Sequence, residues 1–252
     1  MSVGFLDSAK GRTMHYELYY WPGIQRRGEF VRLALEAVGA QYVDVARLPG
    51  RGMGVDAMLR LMSETDHEPF APPFLRAGKL LIAQTANILH YLGPRIGLAP
   101  KSETARLWAH QLQLTVSDFV TEIHDTHHPI ASSLYFDDQK SEARDRSGHF
   151  LGERLPKYLG YFERSIENNT SGRGYIVGRS LSYVDLSMFQ LMAGLRYAFP
   201  TAMSRRKRDH PRLSALHDKV TANASVAAYL ASQRRIAFNE DGIFRCYREL
   251  DQ

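Results

Sequence analysis

The 252-residue chain has one cysteine, Cys246, and that scarcity closes several routes at once. It allows no intrachain disulfide, no CxxC redox pair and no zinc site built from cysteines. A reducing compartment is the expected setting. Serine is missing from a long stretch too: between residues 9 and 62 there is neither serine nor cysteine. No apolar run approaches the roughly eighteen residues of a membrane span, so no membrane association is expected. The opening MSVGFLDSAKGRT is too polar for a signal peptide, which points to the cytoplasm. The formal charge of +5 is modest and scattered, and no recognition motif accompanies it; no nucleic-acid partner is expected. Internal repeats and low-complexity tracts are absent.

What is present is a globular composition, 44% hydrophobic and 23% charged, in a chain long enough to bury a proper core. Its two halves differ in periodicity. Residues 1–14 read as an N-terminal extension, with Met14 just before the first strand-like segment. Tyr16-Glu17-Leu18-Tyr19-Tyr20-Trp21 suits a short strand, ended by Pro22-Gly23. Phe30, Val31, Leu33, Ala34, Leu35 and Val38 then recur at helical spacing, with Gly39 as a left-handed stop. Gln41–Val45 is a second strand; the segment 47–68 is Gly-rich and then weakly helical, without clear bounds. Pro73-Phe74-Leu75 and Lys79–Ala83 flank Arg76-Ala77-Gly78 as a hairpin, and a helix over 84–92 follows. The order β-α-β-(α)-β-β-α is that of a thioredoxin-like sheet, over 15–96. From 103 to 252 strand signals vanish, and helical stretches run through 103–128, 142–168, 182–199 and 211–233. Ser182-Tyr183-Val184-Asp185 is the best local signal, a helix-capping box.

An α/β thioredoxin-like N-terminal domain followed by an all-α helical C-terminal domain resembles the cytosolic glutathione transferase fold, over roughly residues 15–235. Four local matches carry the resemblance. Tyr20-Trp21-Pro22 looks like the Tyr-Phe-Pro element of the tyrosine-type (pi- and sigma-like) classes, here in a bacterial-looking form. Arg27-Gly28-Glu29-Phe30-Val31-Arg32 is similar to their first-helix pattern. Pro73, eleven residues before Gln84-Thr85, matches the cis-proline and the Gln-Ser pair that binds the γ-glutamyl end of glutathione. Ile176-Val177-Gly178 through Ser182-x-x-Asp185 matches the capping box of the helical core.

The resemblance implies glutathione as co-substrate, a small apolar electrophile as its partner, detoxification as the setting and a homodimer as the assembly. It places Tyr20 as the catalytic residue, with Tyr19 and Tyr16 as nearby alternatives; related enzymes with Ser or Cys at this junction are excluded by the gap over 9–62. Free thiols have a pKa of about 8.5, so glutathione is mostly unreactive at neutral pH. A phenol O–H aimed at the sulfur would stabilise the thiolate. Gln84 and Thr85 open a helix, where free N–H groups and the dipole favour a carboxylate. Arg27 resembles the arginine that supports the γ-glutamyl carboxylate.

Two departures stand out. The residue before Pro73, which in the family pairs its backbone with the cysteinyl unit, is Pro72 and has no N–H. An aspartate that reaches the partner subunit's glutathione in related classes falls at Leu114, with Gln113 beside it and Asp118 one turn later. His124 and His128, at i and i+4 in His124-Asp125-Thr126-His127-His128, are read as lining the second-substrate pocket; without an HExxH base or third ligand no metal is expected. Arg205-Arg206-Lys207-Arg208 reads as a solvated loop. The aromatic-rich run 238–247 either folds over the cleft or packs outside the helical domain. Beside transferase activity, two other readings stay open: a glutathione-dependent isomerase or peroxidase, and a non-catalytic binding or regulatory protein.

Overall fold

The computed structural model describes residues 15–252; the expected extension, residues 1–14, falls outside the described residues. Strand β1 (Tyr16–Tyr19) pairs in parallel with β2 (Tyr42–Asp44) and antiparallel with β3 (Phe74–Ala77), which pairs with β4 (Leu80–Ala83). The sheet order is β2-β1-β3-β4. Side-chain alternation sorts the two faces. Tyr16 and Leu18 join a core with helices α1 (Gly28–Ala37) and α3 (Thr85–Arg95), while Tyr19 and Phe74 face α2 (Gly54–Ser63).

Helix α1 is enclosed on all sides. Phe30, Val31, Leu33, Ala34 and Leu35 are at most 2% exposed, and so are the charged Glu29 and Arg32. A helix apolar on most of its surface belongs inside, and this one lies between sheet and helical half. That half consists of α4 (Glu103–Asp125), α5 (Lys140–His149), α6 (Leu155–Asn168), α7 (Tyr183–Ala198), α8 (Pro200–Arg205), α9 (Pro211–Thr221) and α10 (Ala224–Leu230). Its axis is α7, thirteen of whose residues are buried, so that the core is continuous from the sheet through α7. The capping box at the start of α7 forms as expected. Ser182 Oγ accepts the Asp185 N–H, and Asp185 accepts the N–H groups of Ser182 and Ile176, both at 2.8 Å.

Several boundaries differ from expectation. The hairpin turns at Gly78-Lys79, one pair later than Arg76-Ala77-Gly78, because Gly78 takes the positive φ of 64° the turn requires. The 47–68 segment resolves into a short 3-10 turn (Val45–Arg47) and α2. The 211–233 stretch is two helices, because Asn223 Oδ1 accepts the Val226 N–H and restarts the chain as α10. The Arg205–Arg208 run is not wholly solvated. Arg206 turns inward and donates to the Leu151 carbonyl at 2.7 Å.

The run 238–247 does not pack on the outside: Ile243 and Phe244 are buried in the core with α7, and the run folds back toward the loop after β1. Phe238 stacks on Tyr197 and Phe244 lies against Gly194 of α7. Asn239 donates to the Gly23 carbonyl at 2.9 Å and Arg26 to the Asp241 carbonyl at 2.6 Å, so the tail also covers the loop after β1.

Candidate active site

The register of the sheet assembles the first part of the site. Tyr19 pairs with Phe74 and Phe74 with Ala83, so the next residues, Tyr20, Pro73 and Gln84, stand side by side at one end of three strands. The Pro72–Pro73 peptide bond is cis. Gln84 is exposed, takes a positive φ of 68° and caps α3, whose first residue is Thr85.

Tyr20 is 3% exposed yet belongs to neither apolar core. Its ring fits because residue 28 is glycine: a Cβ there would come within 2.3 Å of Tyr20 Cδ1. The Arg27 N–H donates to Tyr20 Oη at 3.1 Å. Burial pushes the Tyr20 phenol above its ordinary pKa, while the Arg27 N–H and the guanidiniums of Arg26, Arg27 and Arg32 pull it back. Tyr20 is therefore a neutral phenol at pH 7, with its lone pair engaged and its proton left to give. The alternatives are otherwise occupied. Tyr19 donates to Glu17 at 2.6 Å and stacks on Phe74 on the opposite face; Tyr16 is buried in the core.

Arg27 is the hub. Its N–H reaches Tyr20, its carbonyl accepts the Thr85 hydroxyl at 3.4 Å, and its Nη2 donates to Thr121 Oγ1 of α4 at 3.2 Å. Arg27 and Thr85 also line a cavity of about 20 Å³ with Gln113. Gln113 is 1% exposed; its Oε1 accepts from Ser187 at 2.8 Å and its Nε2 has no protein partner among the described residues. Leu114 points away and is 48% exposed. The sequence-picked residues thus fall into two groups: Tyr20, Arg27, Pro72, Pro73, Gln84 and Thr85 at the sheet end, and His124 and His128 beyond Thr121.

The histidines form a knot closed by the tail. His127 is buried, its Nε2 facing the Ile243 carbonyl at 2.8 Å and its Nδ1 facing His128 Nδ1 at 2.5 Å. A neutral ring has one N–H. His127 therefore donates through Nε2 and accepts through Nδ1 from His128. His124 stacks on His128 with ring centres 5.0 Å apart. Burial first, and Arg245 second, push His128 down to about 4; burial and the same guanidinium push His127 down to about 2. No group of three metal-ligating side chains forms among the described residues.

The pH consequence has a definite sign. Below about 6.5 the unfolded chain takes up protons that the native rings refuse, so stability complete above that pH is lost as pH falls toward 4. Urea midpoints are expected to fall between pH 7 and pH 5, and the fall is expected to be smaller in His127→Gln. Equal drops in both proteins would mean that other groups control the acid limb.

Sequence reasoning missed Arg26 and Arg245. Arg26 adopts a positive φ of 34°, which residue type alone does not reveal, and Arg245 reaches the site only because the tail folds back.

Comparison with known proteins bears on the fold. Residues 124–233 match the glutathione S-transferase C-terminal domain family. A glutathione S-transferase of Plasmodium falciparum is 24% identical over 225 residues, 88% of this chain and 97% of that protein. Glutathione S-transferase P 1 of Xenopus laevis is 25% identical over 87% of this chain and 93% of its own length. These relatives are eukaryotic and lend the bacterial-looking expectation no support. Among solved structures, a monomeric glutathione S-transferase of the hookworm Necator americanus superposes with a TM-score of 0.69 at 23% identity, covering 89% of this chain and all of that one. Prostaglandin synthase D of Nilaparvata lugens does so with a TM-score of 0.65 at 22% identity, covering 87% and 98%. No described helix is long and apolar enough to cross a membrane. The sheet, the helical half and these superpositions give the chain the glutathione S-transferase fold, and over most of its length its sequence is similar to glutathione S-transferases.

Proposed function

We propose that the chain is a tyrosine-type glutathione transferase that holds the glutathione thiol as a thiolate for attack on small electrophiles. The observation that supports this most is the Arg27 N–H on Tyr20 Oη. It leaves the phenol one proton and one direction in which to donate it. In a buried site such a bond is stronger than in water and costs little reorganisation during reaction. With a chloronitrobenzene, thiolate sulfur attacks the chlorine-bearing carbon, the C–S bond forms, and chloride leaves with the electron pair. The thiol proton passes to solvent.

Glutathione would lie along the sheet end. Its γ-glutamyl carboxylate meets Thr85, the backbone N–H groups opening α3, Gln84 and Arg27. Pro72 offers its carbonyl to the cysteinyl N–H but no N–H in return, so one main-chain bond is expected in place of two. His124 and His128 border the second-substrate pocket. The test is direct: purified protein is titrated with glutathione by calorimetry and then assayed for conjugation. Saturable binding with turnover supports the reading. Binding with no turnover of any electrophile favours a non-catalytic binder, and no binding leaves the fold alone.

A cytoplasmic homodimer acting in detoxification completes the proposal. Phe70, 94% exposed beside the cis-proline loop, and Leu107, Trp108 and Leu114 on α4 are large apolar side chains that association would cover. Light scattering is expected to give twice the 28.6 kDa subunit mass. A single-subunit mass would remove the dimer.

A further inference from the structure

Three consecutive carbonyls of the tail each hold a cationic or nitrogen-bearing side chain. Asp241 accepts from Arg26 Nε at 2.6 Å, Gly242 from Arg245 Nε at 3.0 Å, and Ile243 from His127 Nε2 at 2.8 Å. Both guanidiniums are gripped through Nε alone. Their terminal amino groups, four in all, have no protein partner among the described residues, and neither side chain lies within 4 Å of a carboxylate there. The guanidinium of Arg27, the next residue in the chain, likewise has no carboxylate partner among the described residues and donates to Thr121 Oγ1.

Such an arrangement is unusual for a structural one. Several arginines of this chain that fold onto the body find acids: Arg32 meets Asp44 and Glu29, Arg154 meets Glu122, Arg234 meets Glu36 and Arg235 meets Glu29, while Arg206 rests on the Leu151 carbonyl. Here acids are near but turned elsewhere. Asp125 faces His124 at 3.3 Å, and Asp241 gives Arg26 its carbonyl, not its carboxylate. The three neighbouring histidines are neutral and offset nothing. Arg26 also holds its positive φ of 34°, a backbone state that non-glycine residues adopt at a cost and that clusters at ligand-binding sites.

We infer that Arg26 and Arg245 form an anion subsite beside Tyr20, and that the second substrate is an electrophile carrying a carboxylate, seated on the forked amino groups of these two arginines. This rests on the transferase reading above and narrows its substrate class. A guanidinium with both terminal amino groups free matches a carboxylate in two parallel bonds, which a lysine cannot reproduce. The tail carbonyls fix the forks in place before the ligand arrives, so little order remains to be gained on binding. Arg27 is left to glutathione.

The experiment compares a chlorodinitrobenzoate ion with its neutral methyl ester as co-substrates. Each catalysed kcat/KM is divided by the uncatalysed rate with glutathione, which removes their difference in intrinsic reactivity. The native protein is expected to favour the carboxylate by about tenfold or more, and Arg245→Gln to lose that preference, with Arg245→Lys between them. Equal normalised rates in native protein and variant would overturn the subsite and leave the transferase intact. Should neither compound be conjugated, the transferase reading fails, and calorimetry with the nitrobenzoate ion judges the subsite separately: saturable binding abolished in Arg245→Gln keeps it, and no binding ends it. Should Arg245→Gln fail to fold, the native protein carries the test. Its preference for the ion is then expected to shrink as salt is raised while ester turnover holds, and a salt-independent preference counts against the subsite.

Discussion

Tyr20→Phe is expected to lower kcat/KM for conjugation at pH 7 by about twenty-fivefold, the loss of thiolate when the bound thiol's pKa rises by about two units to the free value of about 8.5. The two proteins should converge as pH rises past the free thiol's pKa of about 8.5, where the thiolate forms without help. That convergence separates a sulfur-stabilising phenol from a merely structural one. The variant also strands the Arg27 N–H inside the protein, at a cost of about 1–3 kcal/mol, so unfolding must be measured beside activity. Gly28→Ala provides the complementary case. It retains the hydroxyl but drives a Cβ to 2.3 Å from the ring, so the phenol must move. If both variants keep native activity, the thiol is held by something other than Tyr20.

Glu29→Ala is expected to cost about 3–5 kcal/mol of folding stability, read from urea denaturation. Glu29 is fully buried at the start of α1, where the helix dipole favours a negative charge. One carboxylate oxygen accepts from Tyr229 at 2.7 Å and from Arg235; the other faces Arg32 at 3.5 Å. Arg32, itself fully buried, is shared with Asp44 at 2.6 Å. Removing the acid leaves Arg235 unpaired by charge and the Tyr229 hydroxyl without its acceptor. Glu29→Gln, which keeps an acceptor and loses the charge, is expected to fall between alanine and native. A loss under about 1 kcal/mol for Glu29→Ala would mean that the network relaxes onto Gln190.

Much of the fold was legible because its signals are local. The aromatic strand before Pro22, the helical spacing of Phe30 to Leu35, the Ser182–Asp185 box and the spacing from Pro73 to Gln84 each depend on neighbours in sequence. All four elements form where those signals put them. Turn placement was less so. Gly78 and Asn223 could each have ended or continued an element, and the deciding backbone angle or cap bond emerges only in three dimensions. The candidate site divided the same way. Tyr20 and Thr85 announce themselves by position, but Arg27 as their common partner requires a contact across 58 residues. Arg26 and Arg245 meet across more than two hundred residues of chain, on carbonyls that any sequence would possess. Glu29 and Arg32, read only as part of a first-helix pattern, prove to be buried charges because Arg235 and Asp44 arrive from distant segments.

The tail is also a closed loop, and this changes the entropy of the residues inside it. Arg235 fastens one end to Glu29, and Asp251 fastens the other by accepting the Thr201 and Ala202 N–H groups at the start of α8. Once both fastenings exist, the intervening segment has already met the entropic cost of bringing its ends to the body, a cost that grows only slowly with loop length. Asp241 and Ile243 therefore present their carbonyls at a high effective concentration to Arg26 and His127, while the Arg245–Gly242 contact is local to the segment. Loosening either fastening would dilute the Arg26 and His127 contacts together, so the far ends of the segment hold the middle in register without touching it.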